Sequence, residues 1–436
     1  MGHLGHLKQE YADLVERLDA GPVGYPKPAS EKAAFGWREI LEILYTPEEA
    51  ALAARLPLKP SGLGKIAAKL KLAPEELKPR LDRMADKGLV MDVVDPKTGK
   101  TRYLLSPPVV GFFEFSLMRA HDEIPRKKMA EALRAYTHGD ETFAREAFGH
   151  ETMIGRAMVH ETAIGAAALP DVLPWERATE LIEGARSLAV ALCYCRHKAE
   201  HLGEQCDSEM DNCLSLDAGA EFIARRGFGW SIERSEALEI LHRSREAGLV
   251  QIADNVQRRP SYLCNCCGCC CGQLQAINEY DLPAVNPSRF LAEADDETCV
   301  GCQRCSRACP IAAISMVPRR ERTVRKNQMR PVVEEERCIG CGVCATACGK
   351  EAMRMRQRAE DPDVPLNSVD RVIRQSLERG RLGQLIFDGG ESLGASFLGQ
   401  AVDALCRLPG AERALASRQV RSRFLGFALG RTPGRR

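Results

Sequence analysis

Two runs of cysteines carry the clearest chemistry in this chain. Cys299, Cys302, Cys305 and Cys309 spell Cys-x2-Cys-x2-Cys-x3-Cys, and Cys338, Cys341, Cys344 and Cys348 spell it again. Two residues between thiolates let one tight turn place three sulfurs on three corners of an iron cube, which is the ligand spacing of a pair of [4Fe–4S] clusters. The fourth sulfur lies too far around the turn and reaches the opposite cluster. The expected ligand sets are therefore Cys299, Cys302, Cys305 with Cys348, and Cys338, Cys341, Cys344 with Cys309. Disulfides and zinc sites fit poorly, because zinc motifs rarely repeat a triplet followed by a fourth cysteine.

The flanks repeat with the cysteines. Asp296-Glu297-Thr298-Cys299-Val300-Gly301-Cys302 matches Glu335-Glu336-Arg337-Cys338-Ile339-Gly340-Cys341, and both halves close on an Ala-Cys pair, a repeat of 39 residues. On these residues the region resembles the bacterial-type two-cluster ferredoxins, and the resemblance implies one-electron transfer. One departure is visible: Cys309 is followed by Pro310, as that family expects, whereas Cys348 is followed by Gly349. No ligand is lost. Hydrogen bonding and solvent access near the first cluster are altered, and both tune potential.

Ten more cysteines lie upstream. Cys193, Cys195, Cys206 and Cys213 come first, then Cys264, Cys266, Cys267, Cys269, Cys270 and Cys271 within eight residues. Such density has no packing explanation, and thiols this close cannot all form unstrained disulfides with one another. Metal binding is the economical reading. The first segment runs Cys-x-Cys-x10-Cys-x6-Cys, which is not a zinc knuckle, and a chain already served by cluster assembly favours iron–sulfur. One or two additional clusters are expected, for example on Cys195, Cys206 and Cys213 with a member of the later run. Spacing does not choose among the six.

These sites need a scaffold, and the chain is long enough for several cores. The expected fold is α+β and multidomain: N-terminal helices with a winged-helix-like region over 1–107, a helical segment over 108–190, a cysteine-rich metal domain over 191–288, a dicluster ferredoxin-type domain over 289–358, and a basic helical C-terminal region over 359–436. Residues 36–107 read as helix, helix, helix, hairpin, with Leu77, Leu81 and Met84 on one helical face and a turn-rich loop at 95–100. That order resembles a winged helix-turn-helix domain, in which Lys78, Arg80, Arg83 and Lys87 would face DNA and Lys97, Lys100 and Arg102 would sit on the wing. The same helix carries Glu75, Glu76, Asp82 and Asp86, so the face is mixed and protein docking is the favoured use. A helix opening at an N-cap, Ser231, is expected to fold the 264–271 run back against Cys195. With the Cys-Tyr-Cys-Arg segment and the Cys-Asn-Cys-Cys run, the chain resembles multidomain iron–sulfur proteins of anaerobic bacteria that carry a C-terminal dicluster ferredoxin domain.

Composition narrows the function. Net charge is +1, so no global field draws the chain to nucleic acid or membrane. Nineteen cysteines, with neither a secretory leader nor an eighteen-residue apolar span, point to a reducing, cytoplasmic setting. His150-Glu151 and His160-Glu161 lack a second histidine four residues on and read as surface pairs; the glycines at 389–390 and 394 fit no nucleotide loop; Cys406 reads as a buried small hydrophobe. No nucleophile–base pair or flavin signature emerges, so no catalytic site of its own is expected. The reading is an electron-transfer protein or subunit of an anaerobic oxidoreductase, with the basic 319–330 loop docking a redox partner. A redox-responsive winged-helix regulator is the alternative.

Overall fold

The computed structural model describes residues 8–119, 123–165, 172–319, 329–388 and 402–403. The chain mixes helix and sheet and divides into two compact units, Met1–Pro26 with Tyr45–Gly111 and Val372–Arg436, and Lys27–Leu44 with Phe112–Arg371.

In the first unit, the helix Pro47–Ala53 opens on a capping box in which Thr46 and Glu49 satisfy each other's backbone N–H groups. The helices Leu63–Leu70 and Pro74–Asp86 follow, then a three-stranded antiparallel sheet of β1 (Ser61–Gly62), β2 (Val90–Val94) and β3 (Thr101–Leu105) in the order β1-β3-β2. Leu77, Leu81 and Met84 are buried, as their helical period predicts. Lys78 pairs with Asp82, Arg80 with Glu76 and Lys87 with Glu49. The N-terminal helix Gln9–Asp19 is tied to the C-terminal segment through Asp19, which takes Arg379 at 3.2 Å and Arg381 at 2.8 Å.

The second unit carries eighteen of the cysteines, all as free thiols. Its centre is a seven-stranded sheet built from β4 (Gly155–Met158), β5 (Leu188–Ala191), β6 (Cys213–Leu216), β7 (Trp230–Ser231), β8 (Val250–Asp254), β9 (Tyr262–Cys266) and β10 (Val285–Asn286), in the order β10-β4-β8-β9-β6-β5-β7. Only the β10–β4 pair is parallel. Leu188, Val190, Leu214, Leu216, Ala253 and Leu263 pack on Ala178, Ile182, Ala237, Ile240 and Leu241 from the helices Ala178–Gly184 and Arg234–Glu246. Two strands, β4 and β5, thus lie in or abut the 108–190 stretch expected to be helical. Both are buried along their whole length, which removes the alternation that marks a half-exposed strand. Ser231 ends β7 rather than capping the next helix, which begins at Arg234 behind Glu233.

The helix Glu31–Leu44 also belongs to this unit and not to the N-terminal one. It crosses Arg126–His138 so closely that a Cβ on Gly36 would overlap the Ala132 carbonyl and the Tyr136 nitrogen.

Residues 290–357 form two small antiparallel sheets, β11 (Phe290–Ala294) with β14 (Met353–Gln357) and β12 (Ile314–Pro318) with β13 (Met329–Val333). Each half of the repeat therefore pairs its strands with the other half. Among the described residues, no helix is long and apolar enough to cross a membrane.

Candidate metal centres

The 39-residue repeat survives in the backbone. Left-handed residues recur at Gly301 and Gly340, at Gln303 and Gly342, and at Ala312 and Glu351, each pair one repeat apart. These positions bend the chain after the first cysteine of each run and again after the last. At Gly340 the need for glycine is doubled, because a Cβ would overlap the Phe290 carbonyl. The short helices Arg304–Ala308 and Val343–Thr346 follow the turns and present Cys305 and Cys344 inward. Both cysteines are buried with Ala292, Ile314 and Met353 in one small apolar core.

Cys299, Cys302, Cys305 and Cys348 line a single open pocket, walled by Met316, Pro331 and Met353. Cys309 lies beside Cys338, and Cys341 and Cys344 lie beside both. Each group so formed takes three cysteines from one half and one from the other. Backbone N–H groups point at sulfur, Gly301 to Cys299 at 3.4 Å and Ala313 to Cys309 at 3.3 Å, the kind of bond that steadies a thiolate.

The two groups differ in exposure. Cys302 is open to solvent and Val300 beside it is exposed, whereas Cys341 and Cys344 are both buried. Burial pushes the Cys341 thiol up to about 12, so without a cation it stays protonated. Behind it, the Cys341 carbonyl accepts from the His160 N–H at 2.9 Å. His160 and Glu161 are not the surface pair expected from sequence. The His160 ring is fully buried on the Leu249 carbonyl, and Glu161 binds Thr179 and Arg245.

Arg319 and Arg358, also one repeat apart, donate to the carbonyls of Cys299 and Cys338, the first cysteine of each run. Arg319 was expected to belong to a free basic loop; instead it is held against Asp296 and the first cysteine group. Arg330, at the other root of that loop, lies 3.7 Å from the same Asp296. Residues 320–328 between them lie outside the described residues, as do Cys406 and the 389–394 glycine segment.

The upstream cysteines meet at one end of the large sheet. The β5–β6 register sets Ala191 opposite Cys213, and the β6–β9 register sets Leu214 opposite Leu263, which brings Cys213 next to Cys264. Cys193 follows β5 and caps the helix Tyr194–Leu202, on whose first turn Cys195 sits. Cys264 and Cys266, two apart on β9, share a face of that strand. Cys271 caps the helix Gly272–Tyr280. The thiols interact in an unbroken series, Cys193 to Cys195, Cys195 to Cys271, Cys271 to Cys266, Cys266 to Cys264 and Cys264 to Cys213. Hydrogen bonds from Cys195 and Cys266 pull Cys271 down to about 5.

A second group is separate from that series. The thiols of Cys206, Cys267, Cys269 and Cys270 all lie within 4.8 Å of one another, with Cys206 to Cys267 at 3.6 Å and Cys269 to Cys270 at 3.7 Å. The expected set of Cys195, Cys206 and Cys213 is therefore not brought together; Cys206 joins the turn after β9 instead.

Sequence reasoning missed the positive charge beside these thiols. Arg196 and Lys198, on the helix that starts at Cys193, are almost completely buried. Arg196 donates to Asn212 Oδ1 at 2.7 Å and to the Asn265 carbonyl at 2.8 Å, and its guanidinium reaches Cys206 and lies near Cys193, Cys266 and Cys267. Lys198 lies near Cys195, Cys270 and Cys271. Buried cations without carboxylate partners are costly, and here thiolate charge offsets them. Their sequence signal was the Arg-His-Lys run immediately after a cysteine pair.

The upstream and ferredoxin-type segments also touch, through neighbours of their cysteines. Gly268, between Cys267 and Cys269, packs on Pro310, the residue after Cys309, so closely that a Cβ would overlap the Pro310 carbonyl. Asn278 donates to that carbonyl at 3.0 Å, and Arg337 bridges Ile311 and Asp281.

The comparison with curated proteins and that with solved structures each find no match. Residues 298–352, which contain all eight ferredoxin-type cysteines, match the model of the 4Fe-4S dicluster domain family, which supports an iron–sulfur, ferredoxin-like domain over this part of the chain.

Proposed function

We propose that the protein transfers single electrons, on its own or as the electron-transfer subunit of a larger oxidoreductase. In support, the dicluster region and ten further cysteines share one compact unit and meet at Gly268 and Pro310. Cys299, Cys302, Cys305 and Cys348 would hold one [4Fe–4S] cluster, and Cys338, Cys341, Cys344 and Cys309 the other. Cys193, Cys195, Cys213, Cys264, Cys266 and Cys271 would hold a further iron–sulfur centre. When bound, such clusters supply one-electron chemistry at potentials set by hydrogen bonds to sulfur and by solvent exposure.

The chain's own residues then divide the work. The apolar core of Ala292, Ile314 and Met353 keeps water from the inner thiols. Arg319 and Arg358 fix the first carbonyl of each run, and Arg196 and Lys198 offset charge at the upstream thiols. The exposed edge at Val300 and Cys302 is where a redox partner would approach, next to the root of the 319–330 loop, and charge steering there would weaken with salt.

Iron and acid-labile sulfide per chain after anaerobic purification, with EPR of the reduced protein, test this reading. More than about eight irons and eight sulfides are expected, since two [4Fe–4S] clusters account for those numbers. A sulfide count of about eight or fewer removes the third centre. The regulator reading gains nothing from Lys78, Arg80 and Lys87, which are each paired with a carboxylate. Tight, redox-dependent, sequence-specific gel shifts would revive it.

A further inference from the structure

We propose that Cys206, Cys267, Cys269 and Cys270 bind one mononuclear tetrahedral ion, zinc or ferrous iron, and not an iron–sulfur cluster. The inference rests on reading the upstream cysteines as metal ligands and goes beyond it in nuclearity.

Size decides between the two. Around a single ion with metal–sulfur bonds of about 2.3 Å, the thiolates of a tetrahedron stand about 3.8 Å apart. The Cys206–Cys267 and Cys269–Cys270 contacts, 3.6 and 3.7 Å, fall on that edge length, and all four thiols lie within 4.8 Å. A cubane instead places a whole iron–sulfur cube between its ligands and must hold them further apart. The molecule carries its own standard: Cys299, Cys302, Cys305 and Cys348 stand around an open pocket, and among the described residues no ferredoxin-type thiol joins a group this compact.

Charge and support agree with a single ion. Four thiolates around a divalent ion leave a net charge of about −2, and the buried Arg196 guanidinium on Cys206 and beside Cys267 offsets part of it. Gln275 Nε2 donates to the Cys269 carbonyl at 2.7 Å, and its Oε1 lies 3.2 Å from His138 Nε2, so the ligand turn is braced from behind. Four thiols with no open position make a structural site. Its effect would be to staple the loop carrying Cys206 to the turn carrying Gly268, and so to seat that turn on Pro310.

The test compares the full chain, purified anaerobically, with Cys206→Ser and Cys269→Ser, measuring zinc, iron and acid-labile sulfide per chain and the EPR of the reduced clusters. Each variant is expected to lose about one metal ion, with sulfide and cluster EPR unchanged. Loss of zinc identifies zinc; loss of one iron without sulfide identifies ferrous iron. Loss of about four irons with four sulfides, or no metal loss in either variant, would overturn the proposal. Cys269 is exposed, so its variant keeps the test valid if Cys206→Ser fails to fold. A total of about eight acid-labile sulfides with the single ion retained would remove the third iron–sulfur centre and leave this site standing.

Discussion

The two cysteine regions solve the same problem in opposite ways. In the ferredoxin-type region, ligand placement is local: three thiols per group come from one turn, and left-handed residues at fixed repeat positions make that turn. In the upstream region, placement is made by the sheet. Cys213 meets Cys264 because β6 and β9 are neighbours, and Cys206 meets Cys267 across a sequence separation of 61 residues. A locally encoded site is written in spacing, whereas a site assembled by the fold exists only once the strands are paired.

The strongest way to break this comparison is Cys348→Ala. It should remove about four irons, with the loss confined to the group of Cys299, Cys302 and Cys305, of which Cys302 is exposed. EPR of the reduced protein reads which cluster is gone; loss of the buried group instead would show that the halves do not exchange ligands. Gly268→Val addresses the seam between the regions. The added side chain must displace the Pro310 carbonyl, and overpacking of this kind costs about 1–3 kcal/mol. Its expected signature is normal metal content with slowed reduction of the ferredoxin clusters relative to the upstream centre, followed by freeze-quench EPR. Unchanged rates would mean that electrons do not cross at this contact.

A smaller effect sharpens the upstream side. Burial, with Lys198 and Arg134 nearby, holds His138 down at about 3, below the roughly 6.5 of an unfolded histidine. The folded state therefore favours the neutral ring. Its stability contribution is present above pH ~6.5 and declines as pH falls towards 3, by at most about 1.4 kcal/mol per unit. Denaturant midpoints of the full chain and His138→Gln, compared from pH 7 to 4.5, should converge with acid; parallel curves would show that His138 does not titrate with folding.

Legibility from sequence follows the same division. The ferredoxin-type ligand spacing, the Pro74–Asp86 helix and the β2–β3 hairpin could be read because their signals are short-range: a two-residue spacer, a 3.6-residue period, a loop rich in turn formers. The strands β4 and β5 could not, since four-residue segments buried on both faces show no alternation. Nor could the partition of the upstream cysteines. Adjacent Cys270 and Cys271 go to different groups, and only the helix start at Gly272 turns one away from the other.

The exchange of strands between the repeats has a consequence for biosynthesis. β11 finds its partner only in β14, and the three thiols that follow β11 find their fourth in Cys348. A nascent chain that has cleared the ribosome as far as Pro318 holds three-quarters of a ligand set and two unpaired strands, β11 and β12. Metallation of either group must wait until the second repeat has emerged, so a chain stalled between the repeats would present open-sided thiols to the assembly machinery or to oxidants.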